Sequence, residues 1–333
     1  MALLLEYHAV LRIIWMLSAI KILLVRLLGA CVVMLIVAVL VFSLVHMASG
    51  DPIAVLLGDQ ATASDIAQVR ALYGLDKPLP AQFLLWLQQV LHGNLGTSIF
   101  LQQPVVEVLI NRAEPTLMLA FFSVAIATLI GVPCGALAAV WRGSKTDQFV
   151  SAVAMLAASV PSFWMGLILI RVFAVQMGWF PSSGYGPPDS TLVQRMYHLA
   201  LPSIVLGVLN SALIIRFTRA SMLDTLGEDY VRTARAKGLP EAAIMIRHVM
   251  KNALIPIVTV IGLTTALMIG GTVVTETVFN LPGVGGLVVR AVLRRDYPVI
   301  QGALLVVAFI YVLINFFIDF LYTVIDPRIR MRR

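Results

Sequence analysis

Charged residues are scarce in this sequence: of 333 residues, 60% are hydrophobic and only 12% are charged. A soluble domain carries about twice that share of charge, and the mean hydropathy here is +0.94. This scarcity excludes a soluble globular protein and predicts an all-α integral membrane protein. The net charge of +7 does not point to nucleic acid, because the basic residues flank apolar runs instead of forming patches interleaved with aromatic residues.

Metal-binding, nucleotide-binding and catalytic motifs are also missing. The two cysteines, Cys31 and Cys134, lie in apolar runs without C-x-x-C spacing, which argues against a disulfide framework or a zinc site. No Gly-Lys dipeptide occurs, which excludes a Walker A phosphate loop. Paired aspartates, a Ser/His pair and an H-E-x-x-H helix are absent from the apolar runs, so intramembrane proteolysis lacks its residues. We expect no catalytic, metal or cofactor site in this chain.

Six apolar runs are long enough, at about 20 residues, to cross a bilayer as helices. They cover residues 27–45, 116–140, 149–170, 199–215, 253–275 and 302–325, and the fourth is the shortest. Sixteen of the 24 Lys and Arg residues lie in the two termini and in the connections after the second and fourth spans. By the positive-inside rule, these segments and both termini are predicted to be cytoplasmic.

The first 20 residues are apolar but interrupted by Glu6, His8 and Arg12. They predict either an interfacial helix or an extension before a true start at Met16. The apolar run of the first span exceeds the roughly 7–15 residues of a signal-peptide core, so we expect the span to be retained. The chain divides into an extension at 1–20, a first span with its outer loop at 21–115, and a core with the other five spans at 116–330.

Three connections carry further signals. The outer loop at 46–115 is too long for a simple connection and predicts two or three short helices around the apolar-periodic AQFLLWLQQVL. The connection at 178–198 is predicted to be irregular. The connection at 276–301 contains LPGVGG, which lacks the spacing of a dinucleotide-binding loop and predicts a turn, followed by a short helix through Arg295.

Polar side chains inside spans are candidate pathway residues, because their burial in lipid is costly. Asn315 and Asp319 lie one turn apart on one face of the sixth span, and Asn210 lies in the fourth. Each can equally serve helix packing through a hydrogen bond. Arg171 ends the third span, where it can extend toward the membrane surface.

Small residues recur every four positions in two spans. They are Gly131 and Gly135 in the second span, and Gly262, Ala266 and Gly270 in the fifth. Such stripes let helix backbones approach closely. They predict packing within the chain, with contact between the fifth span and a second subunit as the alternative.

The connection at 216–252 carries seven basic and four acidic residues, more than a simple connection needs. Gly227 ends the preceding helix, the acidic residues at 228 and 229 favour a new helix N-terminus, and Gly238 stands at the position of a C-terminal cap. The pattern predicts a helix over 228–237 on the membrane surface. It is either a solvated amphipathic helix or one that inserts into a cleft on a partner, where small side chains permit close approach.

EDYVRTARAKG, followed by HVMKNALIP, resembles the coupling loop of binding-protein-dependent ABC importer permeases of the dipeptide, oligopeptide and nickel group. That loop is summarised as Glu-Ala-Ala, three residues, then Gly. Gly238 is the matching glycine and only Ala234 keeps the general letters, while the literal Glu241-Ala242-Ala243 is out of register and is not the motif. The resemblance spans about 21–330 and includes GDP, YGLDKP, GNLGTS, EPTLML, SVPSFWMG, RASMLDTLGEDY, ETVFNLPGVG, RRDYPVIQG and DPRIR.

The resemblance implies a type I importer permease fold in the bacterial inner membrane. It implies four kinds of partner: a second, homologous permease, two ATPase subunits that hold ATP and Mg²⁺, an extracytoplasmic binding protein, and membrane lipid. Ala234 and Ala236 would allow close docking of the ATPase. The implied ATPase-coupling residues are Glu228, Asp229, Tyr230, Arg232, Thr233, Ala234, Arg235, Ala236, Lys237 and Gly238.

Two other classes remain open on the residues alone. One is an ATP-independent secondary transporter or channel, in which Arg171, Asn315 and Asp319 form an ion path. The other is a structural membrane scaffold. Neither explains the polar helix at 228–237. No ligand cluster in the sequence distinguishes a dipeptide, an oligopeptide, nickel, glutathione or another solute.

Overall fold

The structure, a computed structural model, describes residues 24–44, 47 and 77–325, with side chains up to Ile318. Apart from one isolated bridge between Thr97 and Pro104, these residues contain no strand pairing. The predictions for residues 1–20, for GDP and DPRIR and for the part of the outer loop before residue 77 fall outside the described residues. The helices are α1 (Leu24–Leu44), α2 (Leu79–Leu91), α3 (Val105–Val140), α4 (Lys145–Ser159), α5 (Ser162–Gln176), α6 (Leu192–Leu226), α7 (Asp229–Ala236), α8 (Glu241–Val278), α9 (Val284–Arg294) and α10 (Tyr297–Ile325).

Five of these helices are long and apolar enough to cross a membrane: α1, α3, α6, α8 and α10. The pair α4 and α5 makes a sixth crossing if it counts as one span. With the bent pair counted as one span, the prediction of an all-α fold with six spans is confirmed. The prediction of one straight helix over 149–170 is wrong, because α4 and α5 meet at an angle of 98°.

Pro161 explains the bend between α4 and α5. Proline lacks an amide hydrogen and disfavours helical backbone in the residue before it. Accordingly, Val160 has φ −85° and ψ 126°, and α4 ends at Ser159. The new helix starts directly after the proline, at Ser162.

Helix α6 is much longer than the predicted 199–215. It has 35 residues and begins with a capping box, in which the side chains of Thr191 and Gln194 each accept the other residue's backbone amide. It ends at Gly227, as predicted. Arg195 and Arg219 near its ends lower the local hydropathy without interrupting the helix, which is why the apolar run understated its length.

One compact unit consists of the described residues up to Val105 together with Tyr297–Val312. In it, the Phe42 ring of α1 lies 5.4 Å from Phe83 and 5.7 Å from Trp86 of α2, between ring centroids. Helix α2 is thus one of the short helices predicted in the outer loop. The buried residues of this core are Ala38, Val41 and Leu305.

A second compact unit consists of Val106–Asp296 together with the chain from Leu313 onward. Its helices α3 and α6 approach each other closely at two glycines of α3. A Cβ added at Gly131 or Gly135 would come within 2.6 Å of atoms of α6. The prediction that this stripe serves packing within the chain is confirmed.

The stripe on α8 divides into two kinds of position. A Cβ at Gly262 would lie 2.2 Å from the Ile318 side chain of α10, so this glycine also serves packing within the chain. By contrast, no heavy atom of the described chain lies within 4 Å of a Cβ built at Gly270. The two ends of the same stripe therefore face different surroundings.

Candidate coupling site at helix α7

Helix α7 occupies Asp229–Ala236, one residue inside the predicted 228–237 at each end. Glu228 precedes it in extended backbone, and its side chain makes no capping bond. Gly238 has φ +75°, the left-handed conformation that glycine adopts without strain. Its amide donates to the Arg235 carbonyl oxygen at 3.0 Å. The helix therefore stops where the sequence placed its C-terminal glycine.

The inner face of α7 is buried in the protein's own core. Val231 is 0% exposed and Ala234 is 6% exposed. Both belong to a cluster to which α3, α6 and α8 each contribute side chains. We call this cluster the α7 anchor; its members are Ala139, Met222, Val231, Ala234, Ile244, Val249, Ala253 and Ile257. Ala234, offered by the sequence as a docking residue, thus packs against its own chain.

The outer face of α7 is polar and basic. Ala236 is exposed on it. Beyond the turn, Leu239 and Ile246 are 41% and 71% exposed, which adds apolar area to the same region of the chain. The exposed residues of α7 and its ends are Glu228, Asp229, Tyr230, Arg232, Thr233, Arg235, Ala236, Lys237 and Gly238.

Glu241 has a structural role that the motif comparison missed. Its two carboxylate oxygens accept hydrogen bonds from Arg235, from Nη2 at 2.6 Å and from Nε at 3.1 Å. The pair closes the turn between α7 and α8, and the hydrogen bond raises the pKa of Arg235. Both side chains are about half exposed. The sequence does contain a signal for this contact, because Arg235 and Glu241 have opposite charges and lie on the two sides of the turn at 238–240.

A second ion pair fixes α4 to α6 near the anchor. Asp147 accepts hydrogen bonds from Nε and Nη2 of Arg219 at 2.7 and 2.8 Å. The Asp147 side chain is 7% exposed and also accepts the Gly143 amide at 2.9 Å. A buried carboxylate needs such partners. Arg219 lies one turn before Met222 of the α7 anchor, so the pair stabilises the helix on which the anchor rests.

The opposite end of α8 is held by a buried carboxylate. Glu276 is 1% exposed and accepts hydrogen bonds from the Thr116 hydroxyl at 2.7 Å and from the Gly286 amide at 2.8 Å. The Thr116 hydroxyl oxygen also accepts the Val284 amide at 2.9 Å. We call these four residues the α8–α9 clamp. It joins α3, α8 and α9.

The clamp explains the glycines of LPGVGG. A Cβ at Gly283 would lie 2.3 Å from the Glu276 carboxyl carbon, and a Cβ at Gly285 would lie 2.7 Å from the Val273 Cα. The predicted short helix is confirmed as α9, but it begins inside LPGVGG at Val284, so only the first three residues of that motif lie in the connection. The sequence placed Glu276 in the connection, whereas α8 continues to Val278 and buries it.

The polar residues singled out inside spans have varied surroundings. Asn210 donates to the Leu206 carbonyl oxygen of its own helix at 2.8 Å, so this bond joins no second helix. Asn315 and Arg171 are exposed, and the Asp319 side chain falls outside the described residues. Within the part of the chain that the structure describes, no group of three His, Cys, Asp or Glu residues is placed to hold a metal.

Comparison with known families decides the identity of the chain. The profile of the family described as "Binding-protein-dependent transport system inner membrane component" matches residues 131–331. The profile of its N-terminal region matches residues 19–120. The chain belongs to this family. It is a multi-pass inner-membrane permease of the bacterial ABC importers, as its resemblance to them implied.

Relatives match along nearly the whole chain. It is 46% identical to the probable peptide ABC transporter permease protein y4tP of Sinorhizobium fredii, over 92% of this chain and 97% of the relative. It is 44% identical to the glutathione transport system permease protein GsiC of Pectobacterium atrosepticum, over 92% and 98%. Among solved structures, the inward-facing MetNI methionine ABC transporter has a TM-score of 0.55 at 21% identity, covering 66% of this chain and 97% of that chain. That likeness shows the shared fold.

Proposed function

We propose that this permease forms half of the translocation pathway of an importer for small peptides or glutathione. Helix α7 and the turn after it would lie in the cytoplasm and receive motion from an ATPase. The solute class is supported by the relatives, which are described as peptide and glutathione permeases. A second, homologous permease completes the pathway, and an external binding protein delivers the solute.

The coupling role depends on one observation, the α7 anchor. Val231 and Ala234 share a single core with side chains of α3, α6 and α8. Packed protein interiors are stiff, so a displacement of α7 is transmitted to all three helices instead of being absorbed by compression. This is the connection that an ATPase needs in order to rock the spans and alternate access between the two membrane faces.

The ATPase would contact the exposed side of α7. Lys237 offers positive charge, and Arg232 lies beside Asp229, with which it forms an exposed ion pair at 3.4 Å. Tyr230 and Leu239 offer apolar area at 41% exposure each. Aromatic and arginine side chains are enriched at the centres of protein interfaces. An acidic cleft with an apolar floor is the matching surface. Two such ATPase subunits would hold ATP and Mg²⁺, one for each permease.

The test is transport by the complete importer in liposomes. The permease pair, its ATPases and its binding protein are reconstituted, and uptake of glutathione and of dipeptides is measured. We expect uptake that requires ATP and the binding protein and is inhibited by vanadate. Uptake that is insensitive to vanadate and abolished by an uncoupler would instead identify a secondary transporter.

Gly238 allows a sharper test of the coupling helix. A Cβ here meets open space in the described chain, so substitution acts through the left-handed backbone or through contact with a partner. Valine strains that backbone by about 1–2 kcal/mol, whereas asparagine tolerates it. We expect Gly238→Val to abolish uptake while membrane insertion stays intact, and Gly238→Asn to retain most uptake. Normal uptake by Gly238→Val with the ATPase bound contradicts the proposal.

A further inference from the structure

A cavity of about 510 Å³ lies in the second unit, at the α9 end of α8. It is lined by the first part of α3, the loop before α6, the start of α6, the turn before α9 and α9 itself. Four of its residues are charged: Arg112, Glu114, Arg195 and Arg290. The cavity therefore contains three positive charges and one negative charge.

The single acidic residue of the cavity is already engaged. Glu114 forms an ion pair with Arg195 and accepts a hydrogen bond from the Tyr185 hydroxyl at 3.1 Å. The Arg195 guanidinium also lies 5.6 Å from the centre of the Tyr185 ring. Burial and the hydrogen bond to Glu114 raise the pKa of Tyr185 to about 12, so its hydroxyl remains a donor. On this side of the cavity, the charges of Glu114 and Arg195 therefore compensate each other.

The other two arginines lack such compensation. Among the described residues, no carboxylate pairs with Arg112 or Arg290. Arg290 lies beside the α8–α9 clamp, with its Nη1 3.5 Å from a Cβ built at Gly286. Two like charges that line one cavity repel each other, and an anion between them removes that repulsion.

We propose that this cavity binds a carboxylate of the transported solute through Arg112 and Arg290. The inference rests on the proposed import of peptides or glutathione, whose C-terminal carboxylate is the group to be received. An arginine guanidinium presents parallel donors that match the two oxygens of a carboxylate. Asn111 and Asn280 also line the cavity and can hydrogen-bond the amide groups of a peptide.

The size of the cavity favours a small solute over a protein side chain. Pockets for small molecules have volumes of roughly 300–1,000 Å³, and about 510 Å³ falls within that range. An acidic side chain of the binding protein has the same charge but fills only a fraction of such a volume. The experiment must therefore distinguish binding of the solute at these arginines from docking of the binding protein there.

The binding experiment uses the complete importer in detergent, without its binding protein. Equilibrium binding of radiolabelled Ala-Ala is compared with that of Ala-Ala amide, which lacks the carboxylate. Arg112→Gln and Arg290→Gln are made singly and together. Arg294→Gln lies on the same helix outside the cavity lining and is the charge-matched control. We expect the double variant to bind Ala-Ala about tenfold more weakly or worse, as the loss of a charge-assisted hydrogen bond implies.

The amide and a conservative variant make the result specific. Ala-Ala amide should bind weakly to the wild type and no more weakly to the variants. Arg290→Lys keeps the charge without the paired donors and should bind Ala-Ala with intermediate affinity. Equal binding of Ala-Ala by wild type and double variant, or equal binding of the amide and the acid by the wild type, overturns the proposal.

Two further measurements separate this site from other roles. If the variants lose ATP hydrolysis stimulated by the binding protein while Ala-Ala binding is unchanged, the arginines dock the binding protein and the proposal fails. If the wild type binds Ala-Ala through these arginines but imports neither peptides nor glutathione, the carboxylate site stands and the proposed import function fails. Gel filtration of each variant with its partners confirms that the importer is assembled.

Discussion

The two ends of α8 hold short helices in different ways. Helix α7 is held by apolar side chains, with its charges on the outside. Helix α9 buries apolar side chains too, Leu287 and Ala291, but its N-terminus is also bonded to the buried Glu276 carboxylate through the Gly286 amide. Apolar contacts are non-directional, whereas hydrogen bonds fix distances and angles. The α7 end can move together with the helices that share its stiff core, and the hydrogen-bonded end keeps one geometry beside the arginine-lined cavity.

The largest expected effect comes from removing the carboxylate of the clamp. Glu276→Ala leaves the Thr116 hydroxyl and the Gly286 amide without their acceptor, which costs roughly 3–5 kcal/mol in total. We expect a large fall in the midpoint of thermal unfolding, measured by gel filtration of heated, detergent-solubilised protein. Glu228→Ala is the control, because Glu228 is exposed and makes no capping bond. Equal falls in the unfolding midpoint for the two variants would show that the buried carboxylate of Glu276 stabilises the protein no more than the exposed one of Glu228.

Alanine substitutions at Gly283 and Gly238 separate the cost of a steric overlap from the cost of backbone strain. In Gly283→Ala the new methyl group overlaps the Glu276 carboxylate, and relief of such overlap costs about 1–3 kcal/mol. In Gly238→Ala the methyl group meets open space, and only the left-handed backbone at φ +75° costs about 1 kcal/mol. The same thermal measurement should rank Gly283→Ala as the less stable variant. The reverse order would show that the clamp repacks around a side chain.

The anchor of α7 is tested by a matched pair of valines. Val231→Ala removes buried methyl groups at 0% exposure, which costs about 1–2 kcal/mol and loosens α7 from the spans. We expect less solute imported per ATP hydrolysed, with the ATPase still bound. Val292→Ala, at 54% exposure on α9, should change neither quantity. An unchanged ratio in Val231→Ala would show that the anchor does not carry the coupling.

The smallest effect is expected at the ion pair that closes the turn after α7. Arg235→Glu breaks the pair with Glu241, and the added exchange Glu241→Arg restores opposite charges. Both side chains are half exposed, so the loss of stability should be slight and should vanish at about 1 M salt, where the Debye length is about 3 Å. A salt-independent loss, or a double variant no better than the single one, would contradict a purely electrostatic contact.

Local patterns were sufficient to predict α7 from the sequence. The acidic start, the basic end and the glycine at 238 act within one helical turn of the residues they affect, and the observed helix is Asp229–Ala236. The number of spans followed from hydropathy for the same reason. Hydropathy was less useful for the start of α6, which begins at Leu192, seven residues before the apolar run at 199–215.

Contacts between distant segments could not be predicted in this way. Glu276 and Thr116 are 160 residues apart, and nothing near either residue indicates that they meet. The sequence treated Ala234 as a docking residue because it is small, whereas its position on α7 turns it inward. The bend before Pro161 had a local signal, but hydropathy averages over a proline and hides it.

The sequence by itself determined that the chain is a membrane protein with a polar helix ending at Gly238, because hydropathy, capping and charge act locally. Only the tertiary structure decided which face of that helix is free, which carboxylate is buried and which arginines share a cavity. Those properties depend on the surroundings of each side chain. The surroundings come from segments far away in the chain, such as Thr116 for Glu276 and Met222 and Ile257 for Val231.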